Sequence, residues 1–275
     1  RASADDSTLD LTITNASGVV HNITIDANND ADTTVNIGGA IGLTGTLHVG
    51  ADNGTATALF TELNGASGDI DVNASNDAAV SLDIATLNGE ITNFTVNADN
   101  STIDVTTNSS LIGVSNNYSV DITNLTATAS SSSDVNITLN GDTTIAGGDI
   151  TASADDSTLD LTITNASGSI SNMTIDANNG ADTTVNISAS SDALQLFDTL
   201  HVGATNEGTA IASINDLLMG GGNIDVNASN DATVSLDIAR LNGDITNFTV
   251  AADNSIIDVT TSNNGSDDIL NITNL

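Results

Sequence analysis

Short stretches in which apolar and polar residues alternate recur along the whole chain. Leu9, Leu11 and Ile13 alternate with Asp10, Thr12 and Thr14, and Ile23, Ile25 and Ala27 with Asn22, Thr24 and Asp26. Ile70, Val72 and Ala74, then Val80, Leu82 and Ile84, then Phe94, Val96 and Ala98 repeat the pattern. A period of two puts the apolar side chains on one face of an extended segment, so each word predicts a short one-faced strand. Between the words stand residues 15–18, 28–32, 75–77 and 98–100, rich in Asn, Asp and Gly. Asn and Asp bond their own backbone and Gly accepts positive φ, which predicts turns there. Two regions, 38–69 and 188–223, are less regular. In the second, Leu194, Leu196, Phe197 and Leu200, and then Leu217, Leu218 and Met219, stand too close for clean alternation; they predict broad buried turns or short helical pieces.

The words also return in order. Residues 2–18 reappear unchanged at 152–168, and 70–107 reappear with a few changes at 224–261, so the offset grows from 150 to 154. Each long repeat holds two related halves of about 75 residues, and one pair of strand words takes about 20 to 25. A unit that small cannot bury its own apolar face and needs like neighbours above and below it. The expectation is an all-β parallel β-solenoid (β-helix) of about a dozen rungs, a rod roughly 60 Å long at ~4.8 Å per rung. Residues 1–150 form a first long repeat and 151–275 a second, incomplete one, in one continuous solenoid. The alternative is a tandem of β-sandwich domains, because a half-unit is close to a small immunoglobulin-like domain in size. The short sub-period, the absence of proline and the presence of only four Phe and one Tyr weigh against it.

Charge changes the picture of partners. Thirty-six acidic residues face two basic ones, Arg1 and Arg240, for a formal net charge of −34. That excludes nucleic acid, whose backbone demands a positive surface, and anionic membranes. No window approaches 18 apolar residues, so direct membrane insertion is not expected. Cysteine is absent, and disulfides therefore do not staple the fold. The last residues, 272–275, match 122–125, one block short of two full copies. An open solenoid presents an unpaired strand edge, which predicts that copies of the chain stack end to end. At equivalent turns Asn28 and Asn29, Asp99 and Asn100, Asn178 and Asn179, and Asp253 and Asn254 recur. Stacked in register, the Asn would form amide ladders. Stacked Asp would repel and make stability rise with salt or divalent ions.

Seventeen Asn-x-Ser/Thr sequons occur, against about nine by chance for this composition. Asn22, Asn73, Asn93, Asn136, Asn172, Asn186, Asn227 and Asn247 lie between inward-pointing aliphatics, so their side chains face solvent, where covalent N-glycans attach without entering the core. Asn22, Asn93, Asn172 and Asn247 hold the same place in all four half-units.

Signals for catalysis are weak. His48 and His201 occupy equivalent LHVG words and read as surface or core residues with few carboxylates beside them; His21 has no counterpart. The acid pairs Asp5/Asp6, Asp155/Asp156 and Asp267/Asp268 are duplicated at turns, whereas catalysis needs carboxyls in unequal environments. The chain is expected not to be an enzyme. Calcium at the Asp-rich turns is the alternative reading, since Asp and turn carbonyls supply oxygen ligands. Neither an EF-hand loop nor a G-G-x-G-x-D nonapeptide is present; Gly147, Gly148 and Asp149 are only a fragment of the latter.

In words such as LDLTITNASG and IDVNASNDA the full length resembles the repetitive, Asp/Thr/Asn-rich β-solenoid segments of microbial surface proteins: filament subunits, large adhesins and surface-layer-like glycoproteins. That resemblance implies an extracellular location at the cell surface. It also implies a structural role as subunit of a fibre or coat, with copies of itself and other surface components or glycans as partners. The alternative it implies is the stalk or repeat region of an adhesin.

Overall fold

The computed structural model describes residues 1–109, 119–190, 193–262 and 270–274. Every registered strand pair among them is parallel, and each strand between the two ends bonds to the one a turn before and the one a turn after. The protein is an all-β parallel β-solenoid of about ten turns, roughly 48 Å long at ~4.8 Å per turn. Ten is slightly fewer than the dozen expected.

Most successive partners are 23 or 24 residues apart, as in Ala2 with Ile25, Ile25 with Val49, and Val49 with Val72, with longer spacings of 31 from Val96 to Ala127, 25 from Ala127 to Ala152 and 27 from Ile175 to Val202. A first face is built from segments such as Ile23–Asn28. A second face comes from segments such as Ala79–Ile84. The third face is carried on the continuation of long strands round a corner, as in Thr8–Val20, where the register shifts between Ile13 and Ala16. The same shift recurs between Ile37 and Ala40. Both irregular regions are strands too: Thr46–Asp52 and Thr55–Ser75 pair in register in the first, and Leu194–Thr205 and Leu217–Gly220 in the second, so no helical piece stands there among the described residues. Leu194, Leu196 and Leu200 point in, while Phe197 turns out and is 54 % exposed. The residues gained by the second copy fall mainly in one larger turn, from Ile175 to its partner Val202.

The core tapers across the first face. Leu47, Ile70, Phe94, Ile150, Met173 and Leu200 stack in one inward column, Val and Ile with Ala2, Ala127 and Ala152 in the next, and alanine alone in the third, from Ala4 and Ala27 through Ala228 to Ala252. Beyond the alanines the chain turns sharply onto the second face. At each of these corners one residue has φ between 47 and 59°, and eight of the eleven are Asn, among them Asn29, Asn53, Asn179 and Asn206. Left-handed backbone costs an ordinary L-residue about 1–2 kcal/mol, least for Asn, Asp and Gly.

The next residue inward is small at every turn: Ala31, Gly54, Ala78, Ser101, Ser133, Ser157, Ala181, Gly208 and Ala232. Their serines join a buried chain, Ser101 Oγ accepting from Ala78 N at 3.1 Å and Ser133 Oγ accepting from Ser101 N at 3.1 Å. Size and hydrogen bonding, not sequence identity, define this column. The amide ladders expected at the turns are present: Asn206 Nδ2 donates to Asn179 Oδ1 at 2.9 Å, and Asn230 Nδ2 to Asn206 Oδ1 at 2.9 Å.

Candidate functional site

With the core filled by aliphatics, chemistry is confined to the outward positions, which form columns running along the axis. The first face carries the most distinctive group. His48 projects from Thr46–Asp52, directly over Asp71 of the following turn in register. Its Nδ1 lies 2.9 Å from Asp71 Oδ2, and its Nε2 lies 3.3 Å from Asp26 Oδ1 of the preceding turn. In the second copy His201 repeats the arrangement, Nδ1 at 3.2 Å from Asp225 Oδ2 and Nε2 at 3.1 Å from Asp176 Oδ1.

A glycine makes each ring's position possible. Asp26 registers with Gly50, not with His48, so the imidazole leans across the glycine to reach it. A Cβ at Gly50 would stand 2.6 Å from His48 Nε2, and one at Gly203 would stand 2.7 Å from His201 Nε2. The hydrogen bond to Asp71 holds His48 above the usual imidazole value, against some burial, and Asp26 adds to it. Asp176, with help from Asp225, raises His201 in the same way. The bond from His48, supported by Asn73, lowers Asp71. The reading of both histidines as short of carboxylates is therefore corrected: the partners lie about one turn away along the chain and adjacent in space.

The acids are spaced as carefully. In the registered columns of the first and second faces no Asp lies over another Asp. Asp5 is followed by Asn28, then Asp52, Ser75, Asp99, Ser130 and Asp155. Like charges in a column are thus two turns, roughly 9.6 Å, apart, near the ~8–10 Å screening length at physiological salt. Among the described residues the one acid-over-acid pair in register is Glu90 with Asp121 on the third face. This alternation replaces the stacked, repelling Asp columns expected from the turns. Asn28→Asp would place carboxylates in three consecutive turns. It is expected to cost about 1–2 kcal/mol at low ionic strength and much less in 0.5 M salt, read as urea midpoints. An equal loss in both would contradict the spacing argument.

The eight outward sequon asparagines divide into three settings. Asn22, Asn93, Asn172 and Asn247 lie at the corner leading onto the first face, in one ladder with Thr46, Asp69, Asn124, Asp149 and Asn223. Asn22 Oδ1 accepts Thr46 N at 2.9 Å, while Nδ2 of Asn93 and of Asn172 donate to Asp69 and Asp149 at 2.9 and 3.0 Å. Asn73 and Asn227 stand in the middle column of the first face, where Asn73 Nδ2 donates to Asp71 and its Oδ1 accepts from Asn97. Asn136 and Asn186 lie on the second face, and Asn186 is exposed. All eight side chains point away from the core; Asn73, Asn136, Asn186 and Asn227 do so by alternation between buried aliphatics, whereas Asn22, Asn93, Asn172 and Asn247 follow the polar His21, Thr92, Ser171 and Thr246 and are turned outward by the corner.

Both arginines are used. Arg1 meets Asp26 at 3.4 Å, and Arg240 pairs with the nearly buried Asp216. Asp5/Asp6 and Asp155/Asp156 lie at the tight corners, where Asp5 and Asp155 accept from Asn29 and Asn179 of the following turn. Asp267 and Asp268 lie outside the described residues. Among the described residues no group of three or more His, Asp or Glu side chains is arranged so that it could hold a metal ion. No helix among them is long and apolar enough to cross a membrane. Comparison with protein-family models, with characterised proteins and with solved structures gives no match. What the residues and fold define is a repetitive β-solenoid scaffold, with order on its surface as well as in its core.

Proposed function

We propose that this scaffold is a structural, non-catalytic subunit of an extracellular, N-glycosylated fibre or surface coat, assembled by end-to-end stacking of copies. One observation carries the reading. The words at 9–13 and 159–163 are identical, LDLTI, yet they meet different surroundings. In the second copy Leu161 and Ile163 are fully buried beneath Ile137 and Leu139 of the preceding turn. In the first copy Leu11 and Ile13 are 36 and 41 % exposed, and Val19 beside them is 72 % exposed. At the opposite end Val250 and Ile256 are 49 and 67 % exposed. The same word thus accepts another aliphatic turn wherever one is offered. A further turn of like spelling, from a neighbouring copy or from more of the same array, supplies one and continues the three parallel ladders.

Such a unit bears load through its backbone ladders, and its outward Asn, Asp and Thr keep it hydrated. The sequons at outward positions support glycan attachment, and a glycan coat with almost no Lys or Arg leaves little for trypsin-like proteases. Sedimentation over a concentration series tests the stacking: the protein is expected to form lengthening rods, and Ile13→Asp to leave single ones. Wild type remaining a monomer at millimolar concentration contradicts stacking and favours the stalk of an adhesin. Glycopeptide mass spectrometry of secreted material reads the sequons independently, with glycan expected at the eight outward asparagines; bare asparagines throughout would remove the glycoprotein half of the reading.

A further inference from the structure

The two Asp–His–Asp runs have no part in stacking, and their geometry demands a particular protonation state. A neutral imidazole has one N–H and one lone pair, and a lone pair facing a carboxylate is repelled. His48 and His201 each place both ring nitrogens within 3.3 Å of a carboxylate oxygen, which only the doubly protonated ring satisfies. The two carboxylates come from the turns before and after, so each ring spans three turns. Every part recurs in the second copy: Asp26 as Asp176, His48 as His201, Gly50 as Gly203 and Asp71 as Asp225.

We propose that the two Asp–His–Asp runs are proton-operated staples: each ties three successive turns of the first face while its imidazole is doubly protonated, and releases one carboxylate when a ring proton is lost. The two lie six turns apart on one face, roughly 29 Å along the axis, so deprotonation loosens that face while the second and third keep their ladders. Release leaves stacking in place and makes the rod more pliable on one side.

Carboxylates dominate the surroundings. Facing His48 are Asp26, which also meets Arg1, and Asp71, with Asp52 and Asp69 nearby on the same strands. Facing His201 are Asp176 and Asp225, with Asp198 earlier on its own strand. The direction follows. A histidine raised by folding contributes stability that is complete below the unfolded value of about 6.5 and is lost as pH rises through the folded one. Asp71, lowered by folding, contributes above its ordinary value and loses that contribution as pH falls through the folded one. The staples are thus closed at mildly acid pH and open as pH rises through the raised histidine values.

The test combines ring-proton NMR titration of the wild type with thermal unfolding at pH 5 to 9. Expected are His48 and His201 resonances titrating above about 6.5, and a midpoint that falls with rising pH by about 2–4 °C per staple at most, since the rings are part-exposed. His48→Gln/His201→Gln is expected to flatten that fall, and amide exchange in 46–52 and 194–205 to quicken over the same range in the wild type only. Rings titrating at or below 6.5, or a wild type and double variant tracking one another across the range, would overturn the proposal. The wild-type titration is decisive by itself even where a variant folds poorly.

Discussion

Phe94→Ala is expected to destabilise the protein by about 3–5 kcal/mol, the usual cost of emptying a fully buried aromatic position. Among the described residues Phe94 is the largest fully buried side chain, stacked between Ile70 of one turn and Leu125 of the next. A solenoid is narrow and cannot collapse sideways, because strand spacing along the axis is fixed by the ladders. The cavity therefore stays open and its neighbours lose contacts outright. Phe248 occupies the same word, ITNFTV, in the second copy but is only partly buried near an end. Phe248→Ala should cost clearly less. Urea unfolding with hydrogen exchange measures both, and equal losses at the two sites would mean that the end turns are already covered.

The second large effect lies at the corners. Asn206→Val is expected to cost about 2–5 kcal/mol, the sum of forcing a β-branched residue into left-handed backbone, about 1–2 kcal/mol, and removing two ladder hydrogen bonds at about 0.5–1.5 kcal/mol each. Asn206 has φ 52° and its amide both donates to Asn179 and accepts from Asn230. Asn206→Gly keeps the backbone and loses only the ladder, so it should recover about half of the loss. A glycine variant as unstable as the valine one would assign the whole effect to the amides.

Much of this architecture was legible in the chain. Period-two words and their return at 150 residues are enough to demand stacked turns, because no single turn buries its own face. Outward positions of Asn73, Asn136, Asn186 and Asn227 follow from the same alternation, and the corner amide ladders from the recurrence of Asn at equivalent turns. The third face was hidden for a physical reason: its strands follow a corner where the register slips, as between Ile13 and Ala16, so alternation breaks within one strand and reads as a turn. Leu194 to Leu200 misled similarly, since Phe197 turns outward in the larger turn of the second copy.

The histidine clusters were missed because their partners lie about a period away in sequence. Asp71 is in register with His48 only once the spacing between turns is known, and Asp26 is reached diagonally across Gly50. The alternation of Asp with Asn, Ser and Thr was likewise visible only through register. It explains how a chain of net charge −34 tolerates parallel stacking at all. Each choice of Asn28 over Asp, or Ser75 over Asp, keeps a column's charges a screening length apart.

Electron cryomicroscopy of the concentrated, purified protein tests the central claim most directly. The account predicts rods that lengthen by whole units of roughly 48 Å. They should show a continuous ~4.8 Å axial repeat through every joint, with three strands per turn and the Leu11 and Ile13 surface covered by the next copy. Separate rods of one unit, each with that end bare, would contradict it.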